Sequence, residues 1–179
     1  MDRADHHRSV FVYGSLLQDA SLMATLGHRS EPPGLQPFEL AGWERAWNVV
    51  SARTFAPSED PTGPHLRRVV LGLRPAPAAR CEGLLLELTE ADLAALAPRE
   101  AAYELQEVGR VGEDPGRSVW TFVPRAERMV GAAPVAEPLV VERAYLATCR
   151  AGAADHGLAR AAAELDRTLG DLPVADAAL

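Results

Sequence analysis

The stretch "RVVLGLRPAPAARCEGLLLELTEADLAAL", residues 68–96, decides how this chain folds. Two apolar runs, residues 68–73 and 81–88, flank the short segment RPAPAA and read as two strands. TEAD then opens a helix. Thr89 is its cap, Asp92 stands three residues on as in a capping box, and Leu93 and Leu96 supply an apolar face before Pro98 interrupts it. Consecutive strands joined by short turns argue against a doubly wound sheet and predict an antiparallel or mixed arrangement.

The flanks extend this pattern. Residues 10–13 read as a short strand, and residues 18–26 as a helix that Gly27 stops. Residues 30–37 are a proline-rich loop, and "FELAGWERAWNVV" (38–50) is one long or two short strands with Trp43, Arg45 and Trp47 on one face. Residues 51–66 read as a loop. Downstream, residues 103–111 and 118–123 alternate as strands joined through GEDPGR, and residues 142–172 form two helices broken at Gly157. The expected fold is α+β: a compact mixed or antiparallel β-barrel of five to seven strands flanked by helices, most of them at the end. It occupies residues 8–172 as one domain, with flexible termini at 1–7 and 173–179.

Composition limits what the molecule does. A chain of 179 residues that is 47% hydrophobic can bury the core of one globular domain. Its net charge of −7 and pI near 5.2 repel phosphate backbones and anionic lipid, so neither nucleic acid nor membrane is expected as a partner. The polar start MDRADHHRSV and the absence of long apolar runs place it in the cytoplasm. Nothing in the sequence sets an oligomeric state.

Several chemistries fall away. Cys81 and Cys149 stand far apart and read as two buried free thiols. His6, His7, His28, His65 and His156 have no metal-ligand spacing, so no metal is expected. Ser15 lacks the GxSxG elbow of a serine hydrolase. Cys149 and His156 on one helix would be separated by roughly 10 Å of rise, too far for a hydrogen bond.

Two stretches keep functional and structural readings open. In "VFVYGSLLQ" (10–18) a strand runs into Gly-Ser. This is either a tight turn or a nest of N–H groups for an anion, with Gly14 free to take a positive φ. In "LAPREAAYE" (96–104) Arg99, Glu100 and Tyr103 form either a solvated turn or part of a site.

Taken together, FVYGSLL, LAGWERAWNV, REAAY after the TEADL helix, and YLATCRAGAADHGL (145–158) occur in an order that resembles the γ-glutamylcyclotransferase-like family. The resemblance covers most of residues 10–160. It implies a compact mixed β-barrel with one cavity. It also implies cleavage of a γ-glutamyl amide by cyclisation of the glutamyl group to 5-oxoproline, with release of an amine. Glu100 matches the family's catalytic acid/base. Tyr13, Gly14, Ser15 and Leu16 match its substrate-holding loop, and Tyr103 and Tyr145 join them as substrate-binding residues. The partner implied is a small γ-glutamyl molecule, with no cofactor. Two positions depart from the family: Ala97–Pro98 stand where an Asp is often found upstream of RE, and Ala101 follows the glutamate where Gly is frequent. A γ-glutamylamine substrate and a non-catalytic ligand-binding relative are the alternative readings.

Overall fold

The computed structural model describes residues 7–27, 33–112 and 116–178. His6, His28 and the middle of the GEDPGR turn lie outside these residues. The chain forms β1 (Arg8–Val12), a 3-10 turn (Ser15–Leu17), α1 (Asp19–Thr25), β2 (Leu35–Phe55), β3 (Leu66–Leu88) and α2 (Glu90–Leu96). There follow β4 (Tyr103–Val111), β5 (Arg117–Pro124), a second 3-10 turn (Ala126–Arg128), β6 (Leu139–Glu142), α3 (Arg143–Asp155), α4 (Ala159–Leu169) and β7 (Val174–Ala175).

The seven strands make one mixed sheet in the order β4-β5-β1-β3-β6-β7, with β2 paired along β3. β1 runs parallel to β5 and antiparallel to β3. The centre of the sheet is the run LLLEL: Leu84, Leu85, Leu86 and Leu88 are all buried, because both faces of this strand are covered. α3 and α4 close one face through Leu146, Cys149, Ala153, Ala161 and Leu165.

The capping box of α2 forms as expected: the Thr89 hydroxyl accepts from the Asp92 N–H, and the Asp92 carboxylate accepts from the Thr89 N–H. The break at Gly157 also holds, with φ at 66° between α3 and α4.

Other expectations change. The two strands around RPAPAA are one strand of 23 residues, paired from Leu35↔Leu86 to Phe55↔Leu66. Proline's fixed φ is compatible with extended backbone, and the register shift between Ala41 and Trp43 absorbs the irregularity. β2 therefore runs on to Phe55, and the loop shrinks to residues 56–65. β6 is too short to announce itself by period. The end of the chain is not free from Pro173: Val174–Ala175 pairs with β6, and Ala177 bridges to Pro57. Among the described residues, no helix is long and apolar enough to cross a membrane.

Candidate active site

β1 delivers its last residues into a turn. Tyr13 is buried, and its hydroxyl donates to the Phe122 carbonyl at 2.8 Å. Gly14 caps the 3-10 turn Ser15–Leu17, closed by Leu17 N–H to Gly14 C=O at 3.0 Å. Ser15 and Leu16 open this turn, so their N–H groups have no acceptor inside it. The bend does not use a left-handed backbone. Gly14 has φ of −126°, and a Cβ there would meet the Tyr145 hydroxyl at 3.6 Å and Leu71 at 3.7 Å, ordinary contact distances. The expectation of a positive φ at Gly14 is thus corrected.

A glycine that close approach to this turn does require is Gly152. A Cβ on this residue of α3 would stand 2.5 Å from Gln18 N and 2.6 Å from the Leu17 carbonyl carbon. α3 thus lies against the backbone of the 3-10 turn. From below, the turn is held by Arg45. This side chain is wholly buried on the inward face of β2; its Nε donates to the Tyr13 carbonyl at 2.7 Å, and its Nη1 meets Glu164 of α4 at 2.5 Å. A third donor of the same guanidinium reaches the Glu82 carbonyl. The sequence placed Arg45 beside Trp43 and Trp47 without a role. Its signal was a charged residue repeating at period two on an otherwise aromatic face.

Glu100 enters from the turn after α2. Its N–H donates to Leu96 C=O, and Tyr103 N–H donates back to Glu100 C=O at 2.9 Å, which turns the chain into β4. The Glu100 side chain is 12% exposed, and among the described residues its carboxylate has one charged neighbour, Arg99 Nε at 3.4 Å. Arg99 is occupied elsewhere as well, donating to the Ser21 carbonyl and to the hydroxyls of Ser15, Ser21 and Thr25. Burial pushes the Glu100 carboxyl up to about 7, against the pull of Arg99.

Glu100, Tyr13, Gly14, Ser15, Leu16, Tyr103 and Tyr145 line one cavity, floored by Phe11, Leu71 and Phe122. The sequence-matched residues, drawn from three separate segments, therefore converge. The Tyr103 hydroxyl donates to the Leu71 carbonyl at 2.5 Å, and that of Tyr145 lies against the Ser15 side chain and the Leu71 backbone. Trp47 braces Tyr145 edge-on, with ring centroids 6.1 Å apart. Burial holds all three tyrosines well above their ordinary range, so they stay neutral donors.

The thiols stand apart from this chemistry. Cys81 and Cys149 are free and buried, pushed up to about 11 and about 12 by desolvation. His156 contacts Asp19 of α1 at 3.2 Å.

Fold and cavity together define a mixed-sheet protein with a tyrosine-walled pocket built around one buried carboxyl. The chain belongs to the family described as γ-glutamyl cyclotransferase, AIG2-like, whose model matches residues 10–139. By sequence, no curated protein matches it. Among solved structures it is similar to YkqA from Bacillus subtilis, with 17% identity and a TM-score of 0.62, covering 96% of this chain. The chain spans 57% of YkqA's length. It is also similar to a γ-glutamyl cyclotransferase, with 14% identity and a TM-score of 0.60, over 94% of this chain and 89% of the other. A yeast γ-glutamyl cyclotransferase specific to glutathione matches with 15% identity and a TM-score of 0.53, over 90% of this chain and 96% of the other. Tyr145 lies beyond the segment the family model matches.

Proposed function

We propose that the chain cleaves a γ-glutamyl amide by intramolecular cyclisation, with Glu100 as general base and then general acid. The observation that carries this reading is the Glu100 carboxyl: it is buried in a tyrosine-walled cavity, has a single charged neighbour among the described residues, and is held near 7. A carboxyl in that range can take and return a proton at neutral pH.

The substrate brings its own nucleophile. Its α-ammonium gives a proton to Glu100, and the freed amine attacks the γ-carbonyl carbon. The ring C–N bond closes, the ring nitrogen gives up its second proton as the amide C–N bond breaks, and the departing amine takes up both protons and leaves as an ammonium, at least one of them delivered by Glu100. The products are 5-oxoproline and an amine, and the protein retains nothing. Holding the glutamyl chain bent makes the attack effectively unimolecular, which lowers a barrier by about 7–11 kcal/mol in well-oriented systems. The N–H groups of Ser15 and Leu16 receive the substrate's α-carboxylate, and Tyr13, Tyr103 and Tyr145 wall the pocket and exclude water.

The test is release of 5-oxoproline, detected by mass, from a panel of γ-glutamyl amides. The reading expects product from at least one member, lost in Glu100→Gln. Ligand binding without product from any member would favour a non-catalytic relative.

A further inference from the structure

Arg99 stands in the turn between α2 and β4, and each of its nitrogens has a partner. Nη1 donates to the Ser21 carbonyl at 2.8 Å and to the Thr25 hydroxyl at 2.9 Å. Nη2 donates to the hydroxyls of Ser15 and Ser21, both at 2.9 Å. Nε faces the Glu100 carboxylate at 3.4 Å. A guanidinium carries five N–H groups in one rigid plane. Here they meet five acceptors, drawn from the 3-10 turn, from α1 and from Glu100. The acceptors outside Arg99's own turn lie 74 to 84 residues away in the chain. One side chain thus fastens the segment before β2 to the segment after α2.

Resting on the cyclisation reading, this clamp meets a geometric demand. The substrate's α-ammonium and α-carboxylate hang from one carbon, so the substrate itself sets the distance between the groups that receive them. Glu100 takes the ammonium's proton, and the Ser15 and Leu16 N–H groups take the carboxylate. These receivers belong to different segments, and a shift of about 1 Å at a reacting centre can cost about 10²-fold in rate. We propose that Arg99 is a positioning residue: its guanidinium locks the carboxylate-holding turn to the base, and it acts through both rather than on the substrate. Its charge also faces the base. The other titratable or charged groups around Glu100 are the neutral phenols of Tyr13, Tyr103 and Tyr145, and Glu104 and Arg125 on a second groove that Glu100 borders. Arg99 draws the Glu100 carboxyl down against the lift of burial, so removing the guanidinium raises that carboxyl above about 7.

The test compares Arg99→Met, which removes clamp and charge together, with Arg99→Lys, which keeps the charge but brings an ammonium's three donors to five acceptors. Thr25→Val removes one acceptor of the clamp and leaves the guanidinium in place. kcat/KM for 5-oxoproline release is measured from pH 5 to 9, beside a thermal melt of each protein. The Glu100 carboxyl is titrated by 13C NMR without substrate, its signal assigned by its absence from Glu100→Gln. In Arg99→Met the high-pH plateau of kcat/KM should fall about 10²-fold, and the acid limb and the NMR midpoint should both move above about 7. Arg99→Lys should lose part of the plateau while its limb stays close to that of the wild type. Thr25→Val should lose a smaller part, with its limb unmoved.

Lowered melts with plateau and limb unmoved would make Arg99 a residue of the fold alone and overturn the proposal. So would a lower plateau in Arg99→Met beside unaltered plateaus in Arg99→Lys and Thr25→Val, because the guanidinium would then act as a charge and not as a clamp. If Arg99→Met does not fold, the plateaus of the other two variants decide. Calorimetric binding of the γ-glutamyl amide panel to Glu100→Gln, with and without Arg99→Lys, separates this proposal from the reaction. Binding that weakens with Arg99→Lys, with no 5-oxoproline from any member in the wild type, sinks the cyclisation reading and upholds the clamp. Turnover with the same plateau and limb in every variant sinks the clamp alone.

Discussion

The two ends of α2 each bury a carboxylate, and they do so to opposite ends. Asp92, in the first turn, is fully buried and takes hydrogen bonds from the Thr89 N–H at 2.8 Å and the Thr89 hydroxyl at 2.8 Å. Glu100, just past the last turn, is nearly as deep but, among the described residues, is paired only with Arg99, at 3.4 Å. Donors hold Asp92 in place as part of the fold. Glu100 has no such donors among the described residues and faces a cavity, so its burial becomes chemical capacity. Burial alone does not mark a site; burial with unfilled hydrogen-bonding capacity does. The arginines repeat the contrast: Arg45 is buried with each of its three nitrogens bonded, and Arg53 is exposed and makes no side-chain hydrogen bond or ion pair with any described residue.

The largest expected effect breaks the comparison at Glu100. Glu100→Gln keeps shape but cannot accept a proton, so kcat for 5-oxoproline release should fall about 10²–10⁴-fold with ligand affinity little changed. Steady-state kinetics beside a binding titration check this; an unchanged kcat would move the proton-transfer role off this residue.

Next in size is Arg45→Met, which strips the Tyr13 carbonyl of its donor and leaves Glu164 without its partner. Removing one member of a buried pair costs about 3–5 kcal/mol. Since Glu164 is 20% exposed, the lower end is expected, read by denaturant unfolding. Below the melting temperature, KM should rise because the turn carrying Ser15 and Leu16 loses its support.

The same Glu100→Gln variant makes a third prediction, of opposite sign to the first. The Glu100 carboxyl is raised from 4.5 to about 7, so folding binds a proton between those values. Stability contributed by this group is therefore lost as pH rises from about 4.5 through 7, and the charged form costs about 3 kcal/mol above that window. At pH 8 Glu100→Gln should unfold at higher denaturant than the wild type, and the gap should close below pH 5. A variant less stable at pH 8 would mean that Glu100 is held by donors, as Asp92 is.

The smallest effect is at the other end of α2. Thr89→Ala removes the cap and should cost about 1 kcal/mol of stability, with kcat unaltered. A kinetic defect comparable to that of Glu100→Gln would erase the distinction between the two carboxylates.

Much of this contrast could be read from residue order. Thr89 and Asp92 stand at capping-box spacing, and Glu100 sits where the family resemblance places an acid. The capping box and β4 follow from local pattern, because their determinants lie within a few residues of one another. What escaped the sequence was set across the fold. Arg45 acquires its role only when β2 brings it under Tyr13 and against α4, 119 residues away. Gly152 must be glycine because α3 lands on the 3-10 turn, and Gly14, whose sequence context invited a left-handed bend, has an ordinary negative φ. β6 and β7 are too short to show a period and exist by pairing with each other and with β3. The balance between burial and Arg99 at Glu100 depended on where Arg99's other donors point, which no spacing reveals.

The pH profile of 5-oxoproline release, from pH 5 to 9 on the best γ-glutamyl amide, tests most directly whether Glu100 does the proton transfer. The base must be deprotonated to act, so kcat/KM should climb with pH through an apparent pKa of about 7 and fall away below it. A profile already level at pH 5.5, or no 5-oxoproline at any pH, would contradict the account.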